Sequence, residues 1–357
     1  MNNKQLINKE IEHCLTRFNV DFSTVEIMPL GNGHINSTYK LVTPEAEFVL
    51  QKINHQIFVN PVQLCDNAQQ INQHLLAQKA AENYALMVPQ ILLTKQGQGV
   101  VKIGEHYWRL MEFVANSYTF ETVANVQQAG QVAQAFAQFS CALSDFSADS
   151  LHVIIEDFHD ISFRMQQLTQ AVDNNSANRL LACQDLVDFC FAQQSFIDDV
   201  VEISKQLPLH VTHNDTKINN LLFSKTTNAP CGVIDLDTCM PGLLMHDFGD
   251  MVRTCCSNLP EDDSNIDEMA VNFDVFFALL TSYKQAFGNK MNMLEQQSLI
   301  VGAKLLPFII GTRFLTDYLN GDNYFTTSRQ QQNLDRAKNQ LHLYQLISEA
   351  EQAGQLS

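Results

Sequence analysis

The stretch HVTHNDTKINNLLF, residues 210–223, carries many polar side chains between two apolar ends, among them His213, Asp215, Lys217 and Asn220. Apolar ends anchor a segment in a core, and the polar groups carried in with them need hydrogen-bonding partners. Aspartate and asparagine are also common turn residues, so capping of turns by Asp215 and Asn220 is the simpler alternative. The ordered spacing H-x-D-x-K-x-x-N favours a loop that carries chemistry.

A second acidic run follows at a distance that fits a hairpin. CGVIDLD, residues 231–237, ends in Asp235 and Asp237, and 15 positions separate Asp235 from Asn220. That separation allows a strand, a turn and a returning strand, which would bring Asn220 and Asp235 together. Hard cations prefer oxygen ligands, so the pair predicts a Mg²⁺ site whose remaining ligands include the phosphates of ATP.

Within such a site, the polar residues of the first stretch have separate expected roles. Asp215 would take or orient the proton of an attacking hydroxyl, and Lys217 would offset charge on the phosphoryl group in transfer. His213 is expected to hold the loop through hydrogen bonds. The sequence therefore predicts phosphoryl transfer, with Asp215 and Lys217 as the catalytic residues.

The rest of the chain divides into a strand-rich part and a helical part. STYKLVT and EFVLQKI read as a hairpin, and the segment after Asn60 and Pro61 has apolar residues at helical spacing. After VANSYTF the pattern changes to long helical stretches, interrupted by the strand-like NNLLFS and CGVIDLD. We therefore predict an α+β protein with a small β-rich lobe over residues 1–115 and a large, mainly helical lobe over residues 116–357.

The amino-terminal lobe has a candidate phosphate-covering turn in LGNGHINSTYKL. Gly31 and Gly33 allow a close backbone approach to phosphates, although a plain hairpin turn uses the same residues. On the next strand, Lys52 is the favoured cation for the α and β phosphates, and Gln51, on the opposite face, is the uncharged alternative. The following helix offers Asp66 as the acidic partner of this cation.

WRLMEFV, at the end of the strand-rich part, is a candidate hinge between the two lobes. Backbone groups of Glu112 to Val114 would bind an adenine edge there. An ordinary strand end is the alternative.

These motifs resemble the protein-kinase-like fold in the form found in aminoglycoside phosphotransferases and choline kinases. The resemblance implies a bilobal fold in which Asp235 stands at the position of the magnesium-binding aspartate. The longer strings GNGHINSTY, FVLQKIN, HNDTKINNLLF, VIDLDTCMPGLLMHDFGDMVR and RFLTDYLNGDNYF are similar to the N-acetylhexosamine 1-kinase group of this superfamily. That similarity implies ATP-dependent phosphorylation of the anomeric hydroxyl of N-acetylglucosamine or N-acetylgalactosamine.

The same resemblance implies that His34, Asp215, Arg313 and Tyr324 hold the sugar. A neutral polyol needs directed hydrogen bonds and an apolar or aromatic wall. The simpler alternatives are a turn role for His34, a core role for Tyr324 and an i,i+4 ion pair of Arg313 with Asp317. Two other functions stay open: a kinase of an amino alcohol or aminoglycoside, and a kinase-like binding module without turnover, which the intact motif argues against.

Composition limits the partners of the protein. The net charge is −17 with no Lys/Arg cluster, which argues against a nucleic-acid partner. No stretch reaches the roughly 18 uninterrupted apolar residues of a membrane span, and the nine cysteines form no C-x-x-C pair. We expect a globular, cytoplasmic enzyme with reduced thiols and no zinc, whose ligands are ATP, Mg²⁺ and a small-molecule acceptor. The sequence carries no signal for an oligomeric state.

Overall fold

Two compact units make up the protein in the computed structural model, which describes residues 3–31 and 35–356. The first unit takes in two later segments that the division at residue 115 assigned to the helical lobe. Its ranges are Met1–Tyr118, Asp145–Ile155 and Leu222–Met240, and those of the second unit are Thr119–Ser144, Glu156–Leu221 and Pro241–Ser357.

An antiparallel sheet forms the centre of the first unit. Within the described part of the chain its six strands are β1 (Glu26–Pro29), β2 (Ser37–Val42), β3 (Glu47–Ile53), β4 (Ile91–Leu92), β5 (Val101–Ile103) and β6 (His106–Glu112). They lie in the order β1-β2-β3-β6-β4, and β5 pairs with β6. The hairpin predicted from STYKLVT and EFVLQKI is confirmed as β2 and β3, with Ser37 opposite Lys52.

The first unit also contains helices α1 (Asn3–Leu15) and α2 (Pro61–Ala80). Asn60 caps α2, since its side chain accepts a hydrogen bond from the Gln63 N–H at 3.3 Å. One face of the sheet and α1 share an apolar cluster that includes Ile11, Cys14, Leu15, Phe18, Leu41, Phe48, Leu50, Trp108 and Leu110.

The second unit is mainly helical. Its helices are α3 (Val126–Ala142), α4 (Ile161–Asn174), α5 (Gln184–Phe191), α6 (Gln194–Ser204), α7 (Leu244–Cys255), α8 (Phe273–Phe287), α9 (Met293–Asn320) and α10 (Gln332–Gln352). Helix α9 packs against α4, α7 and α10, and α3 packs against α8. The long helical stretches predicted after VANSYTF, residues 126–146, 179–207, 271–287, 295–319 and 329–352, correspond to α3, α5 with α6, α8, α9 and α10. Helices α4 and α7 were not predicted.

The longest helix, α9, is long and apolar enough by composition to cross a membrane, but 67% of its most apolar window is buried inside the protein. Two glycines let it approach α7 closely. A Cβ on Gly249 would lie 2.1 Å from the Gly302 carbonyl oxygen, and one on Gly302 would lie 2.0 Å from that of Met245. Burial against neighbouring helices therefore accounts for the apolar composition of α9.

Short strands flank the polar residues of the opening stretch. Strand β8 (His210–Thr212) pairs with β11 (Met240–Gly242). Strand β9 (Leu221–Ser224) pairs with β10 (Pro230–Val233) and with β7 (Ser117–Tyr118), which confirms the predicted hairpin of NNLLFS and CGVIDLD. Residues 213–220, here called the polar loop, therefore run from one strand into another.

Candidate active site

Three of the residues predicted to do chemistry lie together in the polar loop. The Asn220 side-chain amide donates to the Asp215 backbone carbonyl at 2.8 Å and to Asp215 Oδ2 at 3.1 Å. Lys217 Nζ lies 3.4 Å from Asp215 Oδ1. Burial alone would raise the pKa of Asp215, but the charges of Lys217, His213 and Arg253 outweigh burial and hold that pKa below its usual value. Asp215 is therefore a carboxylate at neutral pH.

His213, the first residue of the polar loop, is fully buried. Its ring meets those of Phe136 and Phe139 edge-on, with centroids 5.6 and 5.8 Å apart. Packing of this kind fixes the ring and the backbone that follows it. The surroundings of His213 suit the scaffold role expected from the sequence.

Asp247, on α7, fixes the backbone of the polar loop from beneath. Its Oδ2 accepts the His213 N–H at 3.0 Å and its Oδ1 accepts the Asn214 N–H at 2.7 Å. The Thr216 hydroxyl donates to the Asp247 backbone carbonyl. Asn214 has a left-handed backbone, with φ of 61°. The two bonds to Asp247 hold a conformation that asparagine adopts at low cost.

Burial raises the pKa of Asp247 to about 6, although His213 and the two backbone N–H groups oppose this rise. A raised pKa means that Asp247 contributes stability at low pH and that this contribution is lost as the pH rises through about 6. The protonated form, however, has fewer lone pairs for the loop N–H groups. Protonation of Asp247 therefore stabilises the folded protein but weakens the hydrogen bonds that order the polar loop.

We predict that turnover falls as the pH is lowered through about 6, while Asp247→Asn flattens that limb. The stability of the native protein relative to this variant should decline by roughly 2 kcal/mol between pH 4.5 and 7.5. Chemical denaturation at both pH values and a pH profile of kcat measure the two effects. If the variant kept the same acidic limb of the kcat profile, a group other than Asp247 would be responsible for that limb.

Arg313, on α9, lies among three aromatic rings. The centre of its guanidinium is 5.1 Å from the Phe158 ring, 5.3 Å from that of Phe325 and 5.5 Å from that of Tyr324. It donates to the Tyr324 hydroxyl at 3.3 Å. Burial lowers the pKa of Arg313, and Tyr324 partly offsets this effect. The structure thus brings together two of the predicted sugar-binding residues, Arg313 and Tyr324.

Asp317 does not form the ion pair with Arg313 that its i+4 position suggested. Its carboxylate instead accepts the backbone N–H groups of Asn323, Tyr324 and Phe325 at 2.8 to 2.9 Å. It thereby fixes the segment that carries Tyr324. This role could not be read from helical spacing, because the donating N–H groups lie beyond the end of α9.

A second arginine, Arg164, shares these surroundings and was not predicted. Its guanidinium donates to the Phe158 carbonyl at 2.8 Å and to the Gln167 side chain at 2.8 Å. Burial, followed by the charge of Arg313, lowers the pKa of Arg164 to about 10. Among the described residues neither arginine has a carboxylate as a salt-bridge partner. The charges of Asp157 and Asp160 nevertheless act on Arg164, and that of Asp215 acts on Arg313.

In the first unit, the acidic turn after β10 exposes one aspartate and buries the other. Asp235 is exposed and has a left-handed backbone, with φ of 63° and ψ of 62°. Asp237 is 2% exposed. An exposed carboxylate suits Mg²⁺, as does the Asn220 amide oxygen, since the amide nitrogen of Asn220 is engaged by Asp215. The donor chemistry of both residues thus fits the predicted cation.

The register of β3 decides between Gln51 and Lys52. Gln51 lies opposite Arg109 of β6, and Lys52 lies opposite Trp108. Directly opposed residues project from the same face, so Lys52 shares the face of Trp108 and α1. Gln51, not Lys52, shares the face of Arg109, whose guanidinium contacts Asp237. Lys52 therefore lies on the face of β3 opposite to Arg109 and Asp237, and its predicted contact with the phosphates stays a prediction.

The structure describes some, but not all, of the other residues that were predicted to bind ligands. Gly31 is exposed with φ of 71°, in the region that favours glycine. Gly33 and His34 lie outside the described residues. At the hinge, Glu112 N–H donates to the Gln90 carbonyl at 2.9 Å, whereas the Val114 N–H donates to no other described residue.

Comparison with known proteins identifies the family. The model of the phosphotransferase enzyme family, APH, matches residues 26–269, about two thirds of the chain. The protein therefore belongs to this family. The matched region contains the polar loop and the acidic turn.

Solved structures show the same fold at low sequence identity. An aminoglycoside phosphotransferase from Alicyclobacillus acidocaldarius matches with a TM-score of 0.63 at 13% identity, over 96% of each chain. A microcompartment-associated aminopropanol kinase matches with a TM-score of 0.61 at 15% identity, over 98% of this chain and 99% of its own. A spectinomycin phosphotransferase, solved with ADP and spectinomycin, matches with a TM-score of 0.52 at 14% identity, over 96% and 98%. The predicted α+β, protein-kinase-like fold is confirmed.

Proposed function

We propose that the protein is an ATP-dependent kinase that phosphorylates the anomeric hydroxyl of an N-acetylhexosamine. Membership of the phosphotransferase family supports transfer of a phosphoryl group, and ADP in the related spectinomycin phosphotransferase supports ATP as its donor. The sugar is proposed from the sequence motifs around Asp215 and Arg313. The observation that carries this choice is the environment of Arg313, a guanidinium with aromatic walls and no described carboxylate partner.

Asp215 would act on the acceptor hydroxyl. Its lowered pKa keeps it ionised, so it accepts the hydroxyl hydrogen bond and takes the proton as the oxygen attacks. Asn220 directs the carboxylate, and Lys217 compensates its charge and that of the transferring group. These residues thus orient the nucleophile and move its proton.

Asn220 and Asp235 are the residues that would hold Mg²⁺, according to the spacing of the two motifs. When bound, Mg²⁺ neutralises charge on the nucleotide phosphates. On the nucleotide side, the Val114 N–H remains available for the adenine edge. We also propose that backbone groups of Gly31 and Gly33 contact the phosphates.

The environment of Arg313 favours a neutral acceptor over a cationic one. A guanidinium without a carboxylate partner donates to oxygen acceptors such as hydroxyl and acyl carbonyl groups. An ammonium group placed beside Arg313 and Arg164 would meet two like charges, which is unfavourable in a buried site. The amino-alcohol and aminoglycoside alternative is disfavoured because its ammonium group would bind beside these two arginines.

The test is release of ADP with a matched series of acceptors: N-acetylglucosamine, N-acetylgalactosamine, glucosamine and ethanolamine. We expect turnover with at least one acetylated sugar, and kcat/KM lower by about 100-fold for glucosamine, whose ammonium replaces the acetamido group. Turnover confined to ethanolamine or an aminoglycoside would establish the alternative function. Absence of ADP release with every acceptor, by protein that binds Mg·ATP, would favour a binding module.

A further inference from the structure

A buried cation occupies the sheet face of the first unit that carries Gln51. Arg109 and Asp237 form an ion pair at 2.5 Å, and their side chains are only 3% and 2% exposed. Arg109 also donates twice to Gln51 Oε1, at 2.9 Å from Nε and 2.5 Å from an η nitrogen. The guanidinium therefore joins β3, β6 and the acidic turn after β10.

The partners of this ion pair are themselves held. The Gln51 amide donates to the Thr38 hydroxyl at 3.1 Å, and the Asn36 amide donates to Asp237 Oδ2 at 2.7 Å. Asp237 thus has the guanidinium of Arg109 at Oδ1, as an ion pair, and a hydrogen bond from Asn36 at Oδ2. Loss of one member of a buried ion pair leaves an uncompensated charge.

Two lysines of the same sheet, Lys40 and Lys52, have other surroundings. Lys40, on β2, pairs with Glu47 at 2.6 Å and lies 4.0 Å from the centre of the Phe113 ring. Lys52 projects from the opposite face, beside Trp108. Among the described residues, Arg109 is thus the cation that this sheet places against the acidic turn.

Asp235 lies two positions before Asp237 and needs that anchor. Asp235 has a left-handed backbone, which aspartate adopts more readily than most residues but which is still sparsely populated, so surrounding contacts help to select it. The Asp237 carboxylate is held at the following turn of 3₁₀ helix, Leu236–Thr238. Its bonds to Arg109 and Asn36 therefore fix the conformation that exposes the Asp235 carboxylate.

We propose that Arg109 is a positioning residue of the nucleotide site, which acts through Asp237 to hold Asp235 for the metal-bound nucleotide. This inference rests on the proposed use of Mg·ATP. In this chain Arg109 and Asp237 take the place of a cation on β3 and an acid on α2, and Lys52 makes no phosphate contact. The pair of Arg109 and Asp237, which joins the sheet to the acidic turn, replaces the expected pair of Lys52 and Asp66.

The experiment compares four variants: Lys52→Met, Arg109→Lys, Arg109→Met, and Arg109→Met combined with Asp237→Asn. The last removes both buried charges and keeps an oxygen for the Asn36 amide, so it provides a folded form without the ion pair. Thermal unfolding checks folding. Calorimetric binding of ATP at several Mg²⁺ concentrations, without acceptor, gives the readout.

We expect Lys52→Met to change the Kd of Mg·ATP by less than about twofold, and the double variant to raise it by about tenfold or more. The double variant should also need more Mg²⁺ for half-saturation, which a purely structural role would not require. Arg109→Lys should recover part of the affinity. A tenfold loss in Lys52→Met, or unchanged Mg²⁺ dependence in the folded double variant, would overturn the inference. If the native protein bound no Mg·ATP, both the proposed function and the role of Arg109 would be wrong. If the protein bound Mg·ATP but did not phosphorylate a sugar, only the proposed acceptor would be wrong.

Discussion

Asp215→Asn is expected to lower kcat by about 10³-fold while binding of Mg·ATP survives. The substituted amide keeps the size of the side chain and can still pair with Asn220. It cannot take the proton of the acceptor hydroxyl, and it no longer compensates Lys217 at 3.4 Å. Initial rates of ADP release and calorimetric ATP binding measure the two effects separately.

The matched control is Asp199→Asn, an exposed aspartate on α6, which should leave kcat within about twofold of the native value. If Asp215→Asn retained native turnover, Asp215 would not be the base. Loss of ATP binding together with turnover would instead assign Asp215 to the nucleotide.

Arg313→Gln should raise KM for the sugar by roughly 10- to 100-fold with little change in KM for ATP, because charged hydrogen bonds contribute about 1.5–3 kcal/mol. Glutamine keeps a donor but loses the charge and the stacking on Phe158, Tyr324 and Phe325. Varying the sugar at saturating ATP, and ATP at saturating sugar, separates the two constants.

Arg329→Gln is the matched control in the same unit, since Arg329 is exposed and pairs with Asp335. It should alter neither constant. An effect of Arg313→Gln confined to KM for ATP would contradict the proposed role of Arg313 in binding the acceptor. Equal effects of the two substitutions would indicate a change in overall charge.

The polar loop was predictable from sequence because its chemistry is local. Asp215, Lys217 and Asn220 lie within six consecutive positions, and their contacts are with one another. The hairpin of β9 and β10 was equally local. Patterns of this kind need no knowledge of the rest of the fold.

Features that depend on distant pairing were not predictable. Gln51 and Lys52 are adjacent, and only the register with β6 shows which of them faces Arg109. The partner of Arg109 is Asp237, 128 positions further along the chain. Helix α7 was missed because Asp247, Asp250 and Arg253 interrupt its apolar pattern, although all three are buried and hydrogen-bonded. Tertiary partners, not local propensity, determine these features.

The proposed reaction transfers a phosphoryl group to the anomeric oxygen of an acetylated amino sugar. The most direct measurement is phosphorus and proton NMR of the product formed from Mg·ATP with N-acetylglucosamine or N-acetylgalactosamine. We expect a hexosamine 1-phosphate, shown by coupling of phosphorus to the anomeric proton, in amounts equal to ADP and absent with Asp215→Asn. Phosphate on any other hydroxyl, or a phosphorylated product only from an amine-bearing acceptor, would contradict it.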